Sequence, residues 1–278
     1  MLLGIRLHDI EKTTLENRLK IAHEQGFTCG HLALSKVISE YPVDDSALTP
    51  GLAMHLKRIF AENQIDVAVL GCYLNLANPN EESLKKITQR YLTNIRFASI
   101  LGAGVVGTET GAVNEKYATE EANFTEESLE IFIKNLRPVV EYAEKMGVIV
   151  AIEPVCRHIV CNPKRARKVL DAIASPNLQI IFDPINLLDM WNYEQRDEII
   201  AEAIELLGKD IAVVHIKDFV IEGDKMESVA AGTGMMDYTQ IMKFIKEQKP
   251  YIHVTLENTI PENAVTARKH IQGIWDAI

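Results

Sequence analysis

Short apolar runs alternate with longer amphipathic segments along the whole chain. Eight runs rich in Val, Ile and Leu have the length of buried strands, and each is followed by apolar residues at helical spacing. Strands are predicted at 2–7, 30–34, 66–73, 104–109, 148–153, 178–183, 211–218 and 251–257. Helices are predicted at 13–25, 50–63, 80–101, 126–146, 163–174, 194–207, 238–248 and 262–277. Strands that alternate with helices in this way build a parallel sheet.

The regular repeat predicts an α/β fold of the (β/α)8 TIM-barrel type. Eight repeats of about 35 residues, with no Gly/Ser linker between them, indicate one barrel domain over residues 1–278. The alternative is an open, doubly wound sheet. The first strand, however, lacks the G-x-G-x-x-G turn that commonly follows it in such sheets.

Composition narrows the classes of partner. The 29 Lys and Arg residues against 39 Asp and Glu residues give a net charge of −10, which repels nucleic acid and anionic membranes. A basic run at 164–168 is interpreted as a solvated helix face. With no signal peptide, no apolar stretch of about 18 residues and no C-x-x-C pair, we expect a cytoplasmic protein without disulfides.

Each of the last four predicted strands carries a side chain that can bind a metal ion at or near its carboxyl end. These side chains are Glu153, Asp183, His215 and Glu257. Each follows an apolar run that offers no partner for a buried charge, so a shared ion is the economical explanation. Strand alternation can direct all four into the barrel mouth, where active sites of this fold lie. Three carboxylates and one imidazole suit manganese first, with magnesium, cobalt or zinc as alternatives.

The segments around these residues resemble the xylose isomerase-like barrel superfamily, which contains sugar isomerases and epimerases and the metal-dependent AP endonucleases. They are VAIEP, IIFDPINLLD, VVHIKDF, AGTGMMDY and TLEN, and the resemblance covers almost the whole chain. It implies that the four side chains bind one catalytic divalent cation. In the ketose 3-epimerases of the superfamily, the residues that match Glu153 and Glu257 exchange a proton on opposite faces of the sugar.

The resemblance therefore implies a divalent-metal-dependent isomerase or epimerase for a small sugar or sugar phosphate. Proton transfer would pass through a metal-stabilised enediolate. The ketose 3-epimerases have a histidine where this chain has Asn186, and a glutamate and an arginine where it has Ile159 and Ile221. The substrate and the reaction subtype consequently stay open.

Six further residues are candidates for substrate binding: Lys217, Asn186, Glu109, Arg157, His158 and His8. Lys217 lies two residues beyond His215 and so shares its face, although a structural pairing with aspartate is the alternative. The pair Gly232 and Gly234 lies after the seventh predicted strand, where many barrels offer backbone N–H groups to phosphate.

Three other functions compete with isomerisation. A metal-dependent lyase that dehydrates a keto-inositol would use the same enolate chemistry. An AP endonuclease-like phosphodiesterase would need additional metal ligands that the sequence lacks, and a noncatalytic sugar-binding barrel would leave two acid–base carboxylates unused. A homo-oligomer is compatible with the sequence but is not specified by it.

Overall fold

The computed structural model describes residues 1–278 and contains ten strands and nine α-helices. The strands are β1 (Leu2–Arg6), β2 (Cys29–Leu32), β3 (Asp66–Gly71), β4 (Val105–Glu109), β5 (Val150–Glu153), β6 (Leu178–Phe182), β7 (Ile211–Ile216), β8 (Asp218–Glu222), β9 (Lys225–Val229) and β10 (His253–Leu256). The helices are α1 (Leu15–Glu24), α2 (Leu34–Val37), α3 (Pro50–Glu62), α4 (Glu81–Leu101), α5 (Glu126–Met146), α6 (Pro163–Ile173), α7 (Arg196–Leu207), α8 (Thr239–Gln248) and α9 (Ala264–Ala277).

Eight of the strands form a closed parallel barrel in the order β1-β10-β7-β6-β5-β4-β3-β2. Helices surround it, so the predicted (β/α)8 TIM barrel is confirmed. Closure places the carboxyl ends of all eight strands around one mouth. None of the helices is long and apolar enough to cross a membrane.

Two apolar layers hold the barrel together. A large cluster packs the helices against the outside of the strands, and a small one of seven residues, including Val69, Ala151 and Ile181, fills the barrel interior. The interior is tight at Gly107, where an added Cβ would lie 2.7 Å from side-chain atoms of Val69 and Ile181. Glycine at this point lets opposite walls of the barrel approach each other.

The predicted seventh strand differs from the observed structure. It ends at Ile216, and Asp218 begins an antiparallel hairpin of β8 and β9 in a segment that the sequence pattern left as a loop. The Asp218 carboxylate accepts backbone N–H groups of Phe219, Gly232, Gly234 and Met236 at 2.8–3.1 Å. One buried side chain thus ties both ends of the hairpin to the barrel.

The interpretation of the basic run at 164–168 as a solvated helix face is wrong for Arg165. Only 7% of this residue is exposed. Its guanidinium donates to the backbone carbonyls of Phe124, Thr125 and Ile159 at 2.7–3.2 Å. Arg165 therefore joins the loops that follow β4 and β5, whereas its neighbour Lys164 lies at the surface.

We predict that Arg165→Met lowers the free energy of unfolding by about 2–4 kcal/mol, because buried carbonyl groups lose their donors. Lys164→Met is the matched control, since its exposed ion pair with Glu202 contributes only about 0–1 kcal/mol. Urea denaturation followed by circular dichroism measures both. Equal stability of the two variants would contradict a fastening role for Arg165.

Candidate metal centre and its cavity

A cavity of about 550 Å³ opens at the carboxyl ends of the barrel strands. Polar side chains dominate its lining, among them Glu109, Glu153, Asn186, Lys217 and Glu257. A volume of this size is within the range of small-molecule sites. The cavity is therefore large enough for a small polar ligand.

The structure brings the four predicted ligands together beneath this cavity. Glu153 ends β5, His215 lies in β7, and Asp183 and Glu257 directly follow β6 and β10. Nδ1 of His215 lies 3.3 Å from Oε1 of Glu153 and 3.3 Å from Oε1 of Glu257. Asp183 is joined through Lys217, whose Nζ is 2.8 Å from its Oδ2 and 3.6 Å from Oε2 of Glu257.

Because these side chains are buried together, the charge of each one changes the pKa of its neighbours. Burial disfavours the imidazolium of His215, but Glu257 and Glu153 outweigh this effect and raise its pKa to about 9. Burial would raise the pKa of Glu257, yet His215, Lys217 and Arg6 hold it well below its usual range. The pKa of Asp183 is raised by burial, against the opposing effect of Lys217. Neighbouring positive charge thus prevails at Glu257, and burial prevails at Asp183.

The donor set fits a divalent cation. Single donor atoms of Glu153, Asp183 and His215 all lie within 4.8 Å of one another, and all three residues are buried. Nε2 of His215 has no hydrogen-bonding partner, although this atom is shielded from solvent. Buried polar atoms are rarely left in this state without an ion or water nearby. Oxygen and imidazole donors together suit manganese, zinc or cobalt.

Two predicted substrate-binding residues also orient the ligands. Lys217 donates to Oδ1 of Asn186 at 2.7 Å, and Nδ2 of Asn186 donates to Oε1 of Glu153 at 2.7 Å. Oδ1 of Asp183 accepts the backbone N–H groups of Ile185 and Asn186 at 2.9 and 3.2 Å. The side chains of Asn186 and Lys217 both line the cavity, so each has a surface that a ligand can reach.

The predicted residue Glu109 stands at the end of β4, paired in register with Glu153. Burial and the charge of Glu153 raise its pKa to about 7. Its Oε2 accepts a hydrogen bond of 3.2 Å from the hydroxyl of Tyr117 and lies 3.8 Å from Nδ1 of His158. Glu109 lines the cavity, whereas His158 lies behind it.

The remaining two predicted residues, His8 and Arg157, differ in their position relative to the cavity. His8 lines the cavity in a short 3₁₀ turn after β1. Burial and the nearby charges of Arg6 and Lys36 lower the pKa of His8 to about 4. Arg157 is exposed, pairs with Asp189 and is not part of the cavity lining. A substrate role for Arg157 stays a prediction that the geometry does not support.

Among the cavity-lining residues that sequence reasoning missed, three lie beside the predicted metal ligands: Arg6, His31 and Tyr73. Nη1 of Arg6 lies 3.6 Å from Oε2 of Glu257, and the hydroxyl of Tyr73 donates to Oε2 of Glu153 at 3.3 Å. Arg6 ends β1 and His31 lies one residue before the end of β2. The rule that selected Glu153, a polar residue at the end of an apolar strand, therefore could also have selected Arg6.

Residues 19–274 match the family model described as xylose isomerase-like TIM barrel. The chain belongs to this family. Searching curated proteins found no match to this xylose isomerase-like barrel.

The solved structures that resemble this chain are named for several different activities. The IOLI protein with a binding zinc atom has a TM-score of 0.78 at 19% identity, over 100% of this chain and 99% of that one. A D-tagatose 3-epimerase-like protein has a TM-score of 0.78 at 20% identity, over 100% and 98%. The probable 3-DHS dehydratase AsbF from Bacillus anthracis has a TM-score of 0.72 at 13% identity, over 97% of both. At such identities the likeness establishes the shared fold.

We predict that the metal-free protein takes up about one divalent ion per chain when Mn²⁺ or Zn²⁺ is added. His215→Ala should abolish binding of both ions, and Asp183→Ala should abolish binding of Mn²⁺, because each change removes a donor from a compact group. Asn186→Ala should weaken binding by about 10–100-fold, the usual effect of removing a residue that orients a ligand. Titration calorimetry and elemental analysis measure affinity and stoichiometry.

Asp224→Ala provides the control, since this aspartate is exposed in the turn of the β8–β9 hairpin. Circular dichroism of every variant verifies the fold. Full metal content after loss of both Asp183 and His215 would rule out the centre.

Proposed function

We propose that this barrel is a divalent-metal-dependent isomerase or epimerase of a ketose or related polyol, with manganese as the expected ion. The observation that supports this most directly is the placement of Glu153 and Glu257. Both carboxylates are buried at the floor of one cavity, and they approach His215 Nδ1 from different strands. Two carboxylates around one ion suit a reaction in which one group removes a proton and the other returns it.

The two glutamates have different surroundings. Oxygen atoms of Glu153 accept from the neutral groups of Asn186 and Tyr73. Glu257 instead faces the cations Arg6 and Lys217, each 3.6 Å from its Oε2. Positive charge favours a carboxylate over a carboxylic acid, so the cations around Glu257 hold its pKa below the usual range, whereas Glu153 accepts hydrogen bonds from neutral groups. Such a difference suits a pair that transfers a proton in one direction and then in the other.

Other side chains of the cavity would bind and orient the substrate. The ion, when bound, supplies positive charge that stabilises the negative charge formed on a carbonyl oxygen as the neighbouring C–H proton leaves. Lys217 directs an ammonium towards the same region and holds Asn186 in place. Glu109, with one oxygen engaged by Tyr117, presents its other oxygen to a substrate hydroxyl.

We expect an unphosphorylated substrate, because the loop after the hairpin has no free backbone N–H groups at its glycine pair to bind a phosphate. The backbone N–H groups of Gly232 and Gly234 already donate to the carboxylate of Asp218 at 3.1 and 2.9 Å. A phosphate group would have to displace that carboxylate and would be repelled by its charge. The glycine pair therefore serves the fold here, and the polar cavity suits hydroxyl groups.

A lyase that removes water is the second candidate, because one similar structure is named a probable dehydratase. The same base would take the first proton, and a β-hydroxyl group would then leave. Product mass separates the two reactions, since isomerisation conserves the mass of the substrate and dehydration lowers it by one water.

We predict that Glu153→Gln and Glu257→Gln each lower turnover by about 10² to 10⁴-fold, because glutamine keeps an oxygen but cannot accept the proton. Metal binding should survive in part. A screen of ketoses and keto-inositols with Mn²⁺ first identifies an active substrate. Its product formed in D2O should carry one nonexchangeable deuteron, detected by mass spectrometry and NMR.

Glu262→Gln is the matched control, an exposed glutamate in the loop that follows Glu257. Product formed at full rate without deuterium, after isotope-labelled substrate has excluded internal return, would indicate a hydride shift. Glu153 and Glu257 would then be ligands only, and Lys217 would become the group that polarises the carbonyl. Product that has lost water would favour the lyase.

A further inference from the structure

His31 lies at the floor of the cavity, and none of the contacts described so far explains why a polar side chain is buried there. The residue is 3% exposed, and neither of its ring nitrogens has a hydrogen-bonding partner. Buried imidazoles ordinarily donate from one nitrogen and accept at the other. His31 nevertheless lines the cavity, so a ligand that enters it can reach the ring.

The ring of His31 is held in place from both sides. It stacks on His215, with centroids 5.4 Å apart and planes at 22°, and on Tyr73, with centroids 5.6 Å apart and planes at 23°. Beyond Nε2 lies Gly71, where an added Cβ would come within 2.8 Å of that nitrogen. Packing thus limits rotation of the ring, and any side chain at Gly71 would collide with it.

The other nitrogen, Nδ1, is directed towards the candidate metal centre. It lies 3.8 Å from Oε1 of Glu257, which is too far for a hydrogen bond. Oε1 of Glu257 lies in turn 3.3 Å from Nδ1 of His215. Single donor atoms of His31, His215 and Glu257 all lie within 4.8 Å of one another. Buried donor atoms this close together, one of them on an imidazole without any hydrogen-bonding partner, can share an ion.

We propose that His31, His215 and Glu257 form a second position for the divalent ion of this centre, and that this position prefers Zn²⁺ or Co²⁺ to Mn²⁺ or Mg²⁺. The first position, at Glu153, Asp183 and His215, has one nitrogen donor, and the second has two. Imidazole nitrogen suits zinc and cobalt, while carboxylate oxygen suits manganese and magnesium. Because both positions need His215, they are occupied one at a time and the total stays at about one ion per chain.

This inference rests on the proposed metal centre but not on the proton-transfer reaction, so metal ions alone serve as probes. Metal-free wild type, His31→Asn and His8→Asn are titrated with Zn²⁺ and with Mn²⁺. His31→Asn should weaken Zn²⁺ binding by more than about 100-fold, beyond the effect of losing an orienting residue. Its affinity for Mn²⁺ should change by less than about threefold. His8, a neighbouring histidine outside the donor group, is the matched control and should leave both affinities unchanged.

X-ray absorption at the zinc edge counts the imidazole ligands directly. The wild type should show two and His31→Asn one, whereas His215→Asn, which loses a donor common to both positions, should bind no ion. Should His31→Asn fail to fold, the wild-type spectrum alone decides. A single imidazole in the wild type, or an equal loss of Zn²⁺ and Mn²⁺ affinity in His31→Asn, would overturn the inference and leave the proposed function intact. A wild type that binds no divalent ion would overturn both.

Discussion

Charge compensation at the barrel mouth is the constraint on which the arrangement of this site depends. Glu153, Asp183 and Glu257 are buried together, and His215 and Lys217 are the cations buried with them. Unpaired charges in such an environment would be very costly. Each contact between these five side chains therefore supports the others, and a divalent ion that replaces the proton of His215 would neutralise the group. The side chains at the barrel mouth therefore need additional positive charge, whatever substrate the cavity binds.

Much of this arrangement follows from local features of the sequence. Apolar runs of strand length located all eight barrel strands, because a parallel strand buried on both faces has to be apolar throughout. Glu153, Asp183, His215 and Glu257 were recognisable since each interrupts such a run at its end. Parallel strands in a barrel direct those ends to one mouth, so the meeting of the four side chains followed from the fold class alone.

The remainder depends on closure of the barrel, which the sequence pattern does not encode. His31 and Tyr73 belong to β2 and the loop after β3, yet they reach His215 and Glu153 across the barrel interior. Neither contact is visible from sequence spacing, because register and side-chain direction arise from the assembled sheet. Arg165 illustrates the same limit at the surface, where a lysine- and arginine-rich run concealed one buried guanidinium. The two short strands after Ile216 were also unpredicted, as their stabilising contact is a side chain binding distant amides.

That contact has an evolutionary consequence. Asp218 follows Lys217 directly, so the chain leaves the floor of the cavity and enters a hairpin whose base is held by a single carboxylate. Residues 220–228 lie beyond this clamp and pair with each other as a two-stranded ribbon, whereas Phe219 at its base is buried. Because Ile221 and Met226 pack against a small buried cluster, the tolerant part of the ribbon is its exposed turn at Gly223 and Asp224, where the chain can change in length without disturbing the register of the barrel. The clamp thus separates the barrel, with its candidate metal centre, from a rim segment whose turn can vary without altering that centre.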